Sequence, residues 1–172
     1  MQGVFLGFWA QEATLVAALS ITDGNDVPTD PATPPTFRVY DGQQLMANST
    51  GNLTKLDTGN ITGATTANPI VITSANHGLQ TGNIVTITNV GGNTAANGTF
   101  VVTKIDSNTF SIAAAGNGAY TAGGTWHTTG LYQLSLPLTG ANGFVAGSTY
   151  EVLVNWTISN VNYARMHTVT VV

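Results

Sequence analysis

Residues 132–139 alternate without a break: Tyr132, Leu134, Leu136 and Leu138 are apolar, while Gln133, Ser135, Pro137 and Thr139 between them are not. A period of two separates apolar from polar residues only on an extended chain, so the segment must be a β-strand with one buried face. Tyr150, Val152, Val154, Trp156 and Ile158 repeat the pattern after a Gly-rich turn, and Val169 and Val171 fall on a last strand that begins near Tyr163. Residues 159–162 are the hairpin between them. Near the start, Val4 to Trp9, 13–22 and 36–40 are rich in β-branched and aromatic residues and read as three further strands. Residues 10–20 also permit helical spacing, because Ala and Leu are good helix formers, but the strand reading is preferred.

Between these strands, residues 23–35 (DGNDVPTDPATPP) form a surface loop, since its prolines cannot donate to a central ladder. Residues 68–126 have a different texture. Short β-rich runs at 70–73, 83–90, 99–105 and 109–113 are punctuated by Gly/Asn turns, with Val85, Ile87, Phe100, Val102, Phe110 and Ile112 as a core of their own. Long connections cost little closure entropy, so a closed segment can be spliced into a loop tip. The expected architecture is all-β: an immunoglobulin-like β-sandwich from residues 1–67 and 127–172, with a small β-barrel inserted at 68–126. Phe144 to Val152 support the sandwich, because a Gly three residues before Tyr150, which opens a long strand, resembles the tyrosine corner of such domains.

Only 7% of residues are charged, against about 25% in ordinary domains, although 42% are hydrophobic. The surface is therefore neutral and polar. Four basic against eight acidic residues leave no electrostatic footprint for nucleic acid. The absence of Cys removes thiolate nucleophiles, disulfides and Cys-ligated metals. No run approaches the 18 or so apolar residues of a membrane span, and with Arg38 as the first basic residue no export signal is expected.

Candidate chemistry is thin. Asp23, Asn25, Asp26 and Asp30 offer oxygens to Ca2+, but without EF-hand spacing they read better as an Asx-type turn. His77, His127 and His167 lack the close spacing that presents two imidazoles to one metal, and no other cofactor is expected. There is no G-x-S-x-G elbow, and Gly91-Gly92-Asn93 and Gly116-Asn117-Gly118 read as hairpin turns, not phosphate loops. Among the aromatics, Trp156 has inward parity, whereas Tyr120 and Trp126 remain candidates for surface contact. The apolar stretch Val4, Phe5, Leu6, Phe8 and Trp9 is a candidate assembly edge, expected to be covered by the protein's own sheet or by a neighbouring subunit.

The segment ANHGLQTGNIVTITNVGGNTAANGTFVVTKIDSNTFSI, followed by GNGAYTAGGTW, resembles a module that recurs in tailed-bacteriophage virion proteins. It is similar to the small β-barrel known as the first-catalytic-cysteine half-domain of ubiquitin-activating enzymes. That half-domain carries no adenylating site, and a chain without Cys inherits nothing of ubiquitin transfer. The flanks FLGFWAQEATLVAALSITD, FRVYDG and GLYQLSLPLTGANGFVAGSTYEVLV resemble phage structural proteins with an immunoglobulin-like sandwich. The resemblance implies a non-enzymatic virion protein, made in the host cytoplasm and homo-oligomeric among other virion proteins. Its expected role is an accessory, decorating one on the outer capsid surface. The alternatives are a tail or baseplate component, or an adhesin module binding a host-surface glycan; a hydrolase ranks last, since eight scattered acids offer little material for paired acid–base work.

Overall fold

The computed structural model describes residues 4–172; Met1, Gln2 and Gly3, which open the expected host domain, lie outside the described residues. In chain order the strands are β1 (Val4–Trp9), β2 (Thr14–Ser20), β3 (Thr36–Asp41), β4 (Gln44–Asn52), β5 (Thr54–Lys55), β6 (Thr58–Asn60), β7 (Gly63–Ala64) and β8 (Ile70–Thr73). They continue as β9 (Ile84–Thr88), β10 (Gly98–Lys104), β11 (Thr109–Ile112), β12 (Thr125–Thr128), β13 (Leu131–Pro137), β14 (Thr149–Ile158) and β15 (Val161–Val171). Short 3-10 turns at Thr94–Ala96 and Gly140–Asn142 are the only helical pieces among the described residues. The chain is thus all-β, and strand β2 resolves the helix-or-strand choice at residues 10–20.

Two compact units are present: residues up to Thr54 with Tyr132–Val172, and Lys55–Leu131. The first is a sandwich. One sheet has the order β1-β15-β14-β3-β4 and the other β2-β13-β5. β14 and β15 form a ten-pair antiparallel hairpin from Thr149↔Thr170 to Ile158↔Val161. Its turn is Ser159-Asn160, both at positive φ (51° and 63°), the left-handed pair that suits the twist of a two-residue hairpin. The alternating residues meet in one core, where Val152, Val154 and Val169 from the larger sheet pack with Leu15, Leu134 and Leu136 from the smaller. Tyr150, 1% exposed, accepts a hydrogen bond from the Val145 N–H at 2.8 Å, and its ring meets Phe144 edge-on at 4.8 Å. This contact ties the turn before β14 to the strand itself.

The second unit is one seven-stranded antiparallel sheet, β6-β12-β9-β10-β11-β8-β7. It is not the closed barrel expected from the strand texture, because the edge strands β6 and β7 do not pair with each other. Only Ile61 and Thr62 separate these strands in sequence, so the edges stand within about 11 Å, three Cα–Cα steps. The two linking residues turn to different neighbours: the Ile61 N–H donates to Gly124 O and the Thr62 N–H to Thr73 O, each at 2.9 Å. The sheet is therefore curled nearly shut, with a chain crossing where a barrel would have a hydrogen-bonded seam. This unit starts at Lys55, earlier than residue 68, because β6 adds to β12 through Asn60↔Thr125, Gly59↔Trp126 and Thr58↔His127.

Its core holds Ile70, Ile72, Val85, Ile87, Val102, Phe110, Ile112 and Trp126, with Phe100 packed at the margin. Asn and His side chains fasten its turns. Asn97 pairs with Val90 as a strand would, accepting from its N–H at 2.8 Å and donating to its O at 3.0 Å. Buried Asn93 donates to Thr65 O and accepts from the Asn117 N–H. Neutral amides can satisfy main-chain groups at turns without bringing charge into the interior, which explains how a chain so poor in charge keeps so many polar residues.

Candidate interaction surface

Strand β1 is the outermost strand of the five-stranded sheet and runs parallel to β15. Its register is Val4↔His167, Phe5↔Thr168, Phe8↔Thr170 and Trp9↔Val171. Three steps on β1 thus match two on β15, and the additional residue is absorbed at Leu6-Gly7 as a bulge. Gly7 takes φ +110°, a conformation that L side chains rarely adopt. In a regular strand, residues three apart face opposite ways; here the bulge brings Phe5 and Phe8 together, edge-to-face at 5.1 Å. Val4, Phe5 and Phe8 are 52%, 51% and 70% exposed. Leu6 and Trp9 instead pack on the sandwich core, and the Trp9 indole N–H caps the Leu6 carbonyl at 3.0 Å. Edge strands are usually guarded by charge or proline, and β1 carries neither. Among the described residues it presents an apolar, unpaired edge next to two outward aromatic rings.

The other candidate residues lie elsewhere. Trp126 is not a surface contact: it is 2% exposed, meets Phe110 edge-on at 6.2 Å, and donates its indole N–H to Ser74 Oγ at 2.8 Å. Its inward parity on β12, between Thr125 and His127, places it in the core. Tyr120 is half-buried against the same core, and its hydroxyl lies 3.1 Å from Ile61 O and 3.0 Å from Gly123 O, so it fastens the Ile61 crossing. Asp23 Oδ1 accepts from the N–H groups of Asn25 (2.8 Å) and Val27 (3.1 Å), the geometry of an Asx turn. Among the described residues no group of three or more His, Asp or Glu side chains could hold a metal ion.

The three histidines occupy separate environments. His77 Nδ1 accepts from the Leu79 N–H at 3.0 Å, which leaves Nε2 protonated to face Asp106 O at 3.0 Å. The Asp106 carboxylate is held below its ordinary value mainly by the Asn108 N–H. Lys55 Nζ lies 2.7 Å from His127 Nε2. His167 is 4% exposed, and its Nδ1 is buried without a hydrogen-bond partner. Burial, assisted by the Arg165 charge, pushes its pKa below 6.5. An unfolded chain therefore takes up a proton that the folded chain refuses, and stability should fall as pH drops below about 6.5. Urea unfolding at pH 7.5 and 5.5 checks this: His167→Leu should lose most of the decline that the natural chain shows, and an equal decline in both would count against it.

A family model described as the ubiquitin-activating enzyme E1 FCCH domain matches residues 67–129, most of the second unit. No curated protein matches the chain. Among solved structures, the chain is similar to the Phage phi92 endosialidase at 15% identity and a TM-score of 0.31, covering 89% of this chain and 27% of that one. The chain thus spans about a quarter of the length of that structure.

Proposed function

We propose that this protein is a bacteriophage virion structural protein, an accessory on the outer surface of the capsid that acts by adhesion and shape, not by catalysis. The observation that carries the reading is the β1 edge. An apolar strand without guarding charge, with two aromatic rings turned outward, is suited to permanent contact with a neighbouring copy or another virion protein. The motif resemblance of residues 75–126 to a module of virion proteins supports it, and the match of residues 67–129 to the E1 FCCH domain agrees with the half-domain part of that resemblance. A surface with four Lys and Arg residues in all also offers few sites to trypsin-like proteases outside a cell.

Phage particles assembled without this protein test the proposal. Heads should still form and package DNA, while heat resistance or adsorption should decline, and adding the purified protein back should restore them. Failure to form heads at all would overturn the accessory role. Absence of the protein from purified particles by mass spectrometry would overturn the virion assignment.

A further inference from the structure

The five-stranded sheet of the sandwich unit packs one face on the core and turns the other outward. Val152 and Val154 of β14 and Val39 of β3 are buried, so Glu151, Leu153, Arg38 and Tyr40, which alternate with them, point the opposite way. The register joins these residues into rows that cross the sheet. One row is Phe5, Thr168, Glu151, Tyr40 and Leu45, with a residue from each of the five strands; the next is Met166, Leu153, Arg38 and Thr50. The two outward rings of β1 therefore continue this face.

The face is neutral and largely apolar except at one place. Leu45 is 48% exposed, and Tyr40, Leu153 and Met166 are half-buried. Thr149 and Thr170 lie hydroxyl to hydroxyl at 2.8 Å, so each could be covered with a hydrogen bond already made. The exception is Glu151 on β14 and Arg38 on β3. Among the described residues these are the only charged side chains with outward parity, since Asp41 and Arg165 share the inward parity of Val39 and Val154. Leu153 is opposite Arg38, which makes Glu151 and Arg38 diagonal neighbours, about 7–8 Å apart along the backbone surface. Among the described residues neither side chain is engaged in an ion pair or hydrogen bond. A partner of one sign would neutralise one of these charges and repel the other. A second copy, turned by 180° about an axis between them, sets each Glu151 against the other copy's Arg38 and neutralises both. That axis passes close to Tyr40 and Leu153, the opposite diagonal, so these meet their own counterparts. Five strands at about 4.8 Å spacing and residues 149–155 at about 3.3 Å rise make a face roughly 24 Å by 23 Å, which side-chain relief brings toward the ~800 Å² that each partner of a standard interface buries.

We propose that this face is where two copies of the chain meet, related by a two-fold axis between Glu151 and Arg38. The proposal rests on the reading that β1 is a contact, and it names the occupant. Sedimentation of the purified full chain tests it apart from any particle, so its outcome is separate from that of the virion assignment. The natural chain should dimerise with micromolar or tighter Kd. Arg38→Glu alone and Glu151→Arg alone should each weaken the dimer by about tenfold or more, because like charges then face each other at two places. An equal mixture of the two variants should dimerise about as tightly as the natural chain, since the doubly acidic face of one meets the doubly basic face of the other. Restoration on mixing also shows that both variants are folded. A natural chain that stays monomeric at hundreds of micromolar would overturn the proposal. So would single variants that dimerise as before, or a mixture of normally melting variants that associates no better than either alone.

Discussion

Replacing Trp126 with alanine should unfold the Lys55–Leu131 unit. The indole sits at the centre of that core, edge-on to Phe110 and covering Gly59 so closely that a Cβ there would come within 2.6 Å of its Nε1. Truncation removes the largest fully buried side chain of the unit and leaves a cavity, a combination that costs about 3–5 kcal/mol for Trp or Phe. It also leaves the Ser74 hydroxyl, 1% exposed, without its indole partner, which adds about 1–3 kcal/mol. Domains this small sit near the low end of the roughly 5–15 kcal/mol range of native stabilities, so the sum approaches the whole. Hydrogen exchange should show loss of protection across β8 to β12. Trp126→Phe, which keeps most of the apolar volume, should lose much less. A Trp126→Ala chain that keeps full protection in these strands would show that the core tolerates the cavity.

The second large effect concerns β1. If β1 is the contact of the proposed function, Phe5→Lys with Phe8→Lys should abolish attachment to particles and self-association while leaving the melting of the isolated chain close to natural. The rings are half or more exposed, so their loss removes little from the fold, and lysine on an edge strand is a common natural guard against pairing. Burying the exposed parts of both rings against a partner is worth roughly 2–3 kcal/mol, or about 30- to 150-fold in Kd before the cost of burying two charges is added. Sedimentation of the purified chain and occupancy on reconstituted particles read the effect. Unchanged sedimentation and occupancy in the double variant would rule β1 out as the contact.

The same residues show what could be read without coordinates. Strands β13, β14 and β15 were legible because each buries one face along most of its length, and burial of one face writes a period of two into the sequence. β4 was not legible. It is an edge strand with scattered burial and a register shift opposite β3, so nothing forces QLMANSTGN to alternate. β5, β6 and β7 are two or three residues long, too short to hold a pattern, and they carry the information that begins the second unit at Lys55. Closure of a sheet depends on whether its edges pair, a property that strand texture does not encode. Trp126 is a different case: its position as the sole apolar residue between Thr125 and His127 gave the inward parity, and the adjoining Gly-rich run obscured it. For β1, composition disclosed an apolar edge, but the pairing of Phe5 with Phe8 depends on the bulge at Gly7, which spacing alone disguises.

At the base of the second unit, the Leu56 N–H donates to Leu131 O at 3.1 Å and the Thr128 N–H to Asp57 O at 3.0 Å, so the incoming and outgoing segments are zipped together. The rest of the chain therefore meets this unit as a pair of adjacent ends, whatever lies between them. A cassette with such ends is interchangeable: recombination can lengthen it, replace it with another closed fold or remove it, while the sheets outside keep their register. Selection can then vary the second unit without renegotiating the sheets that carry it.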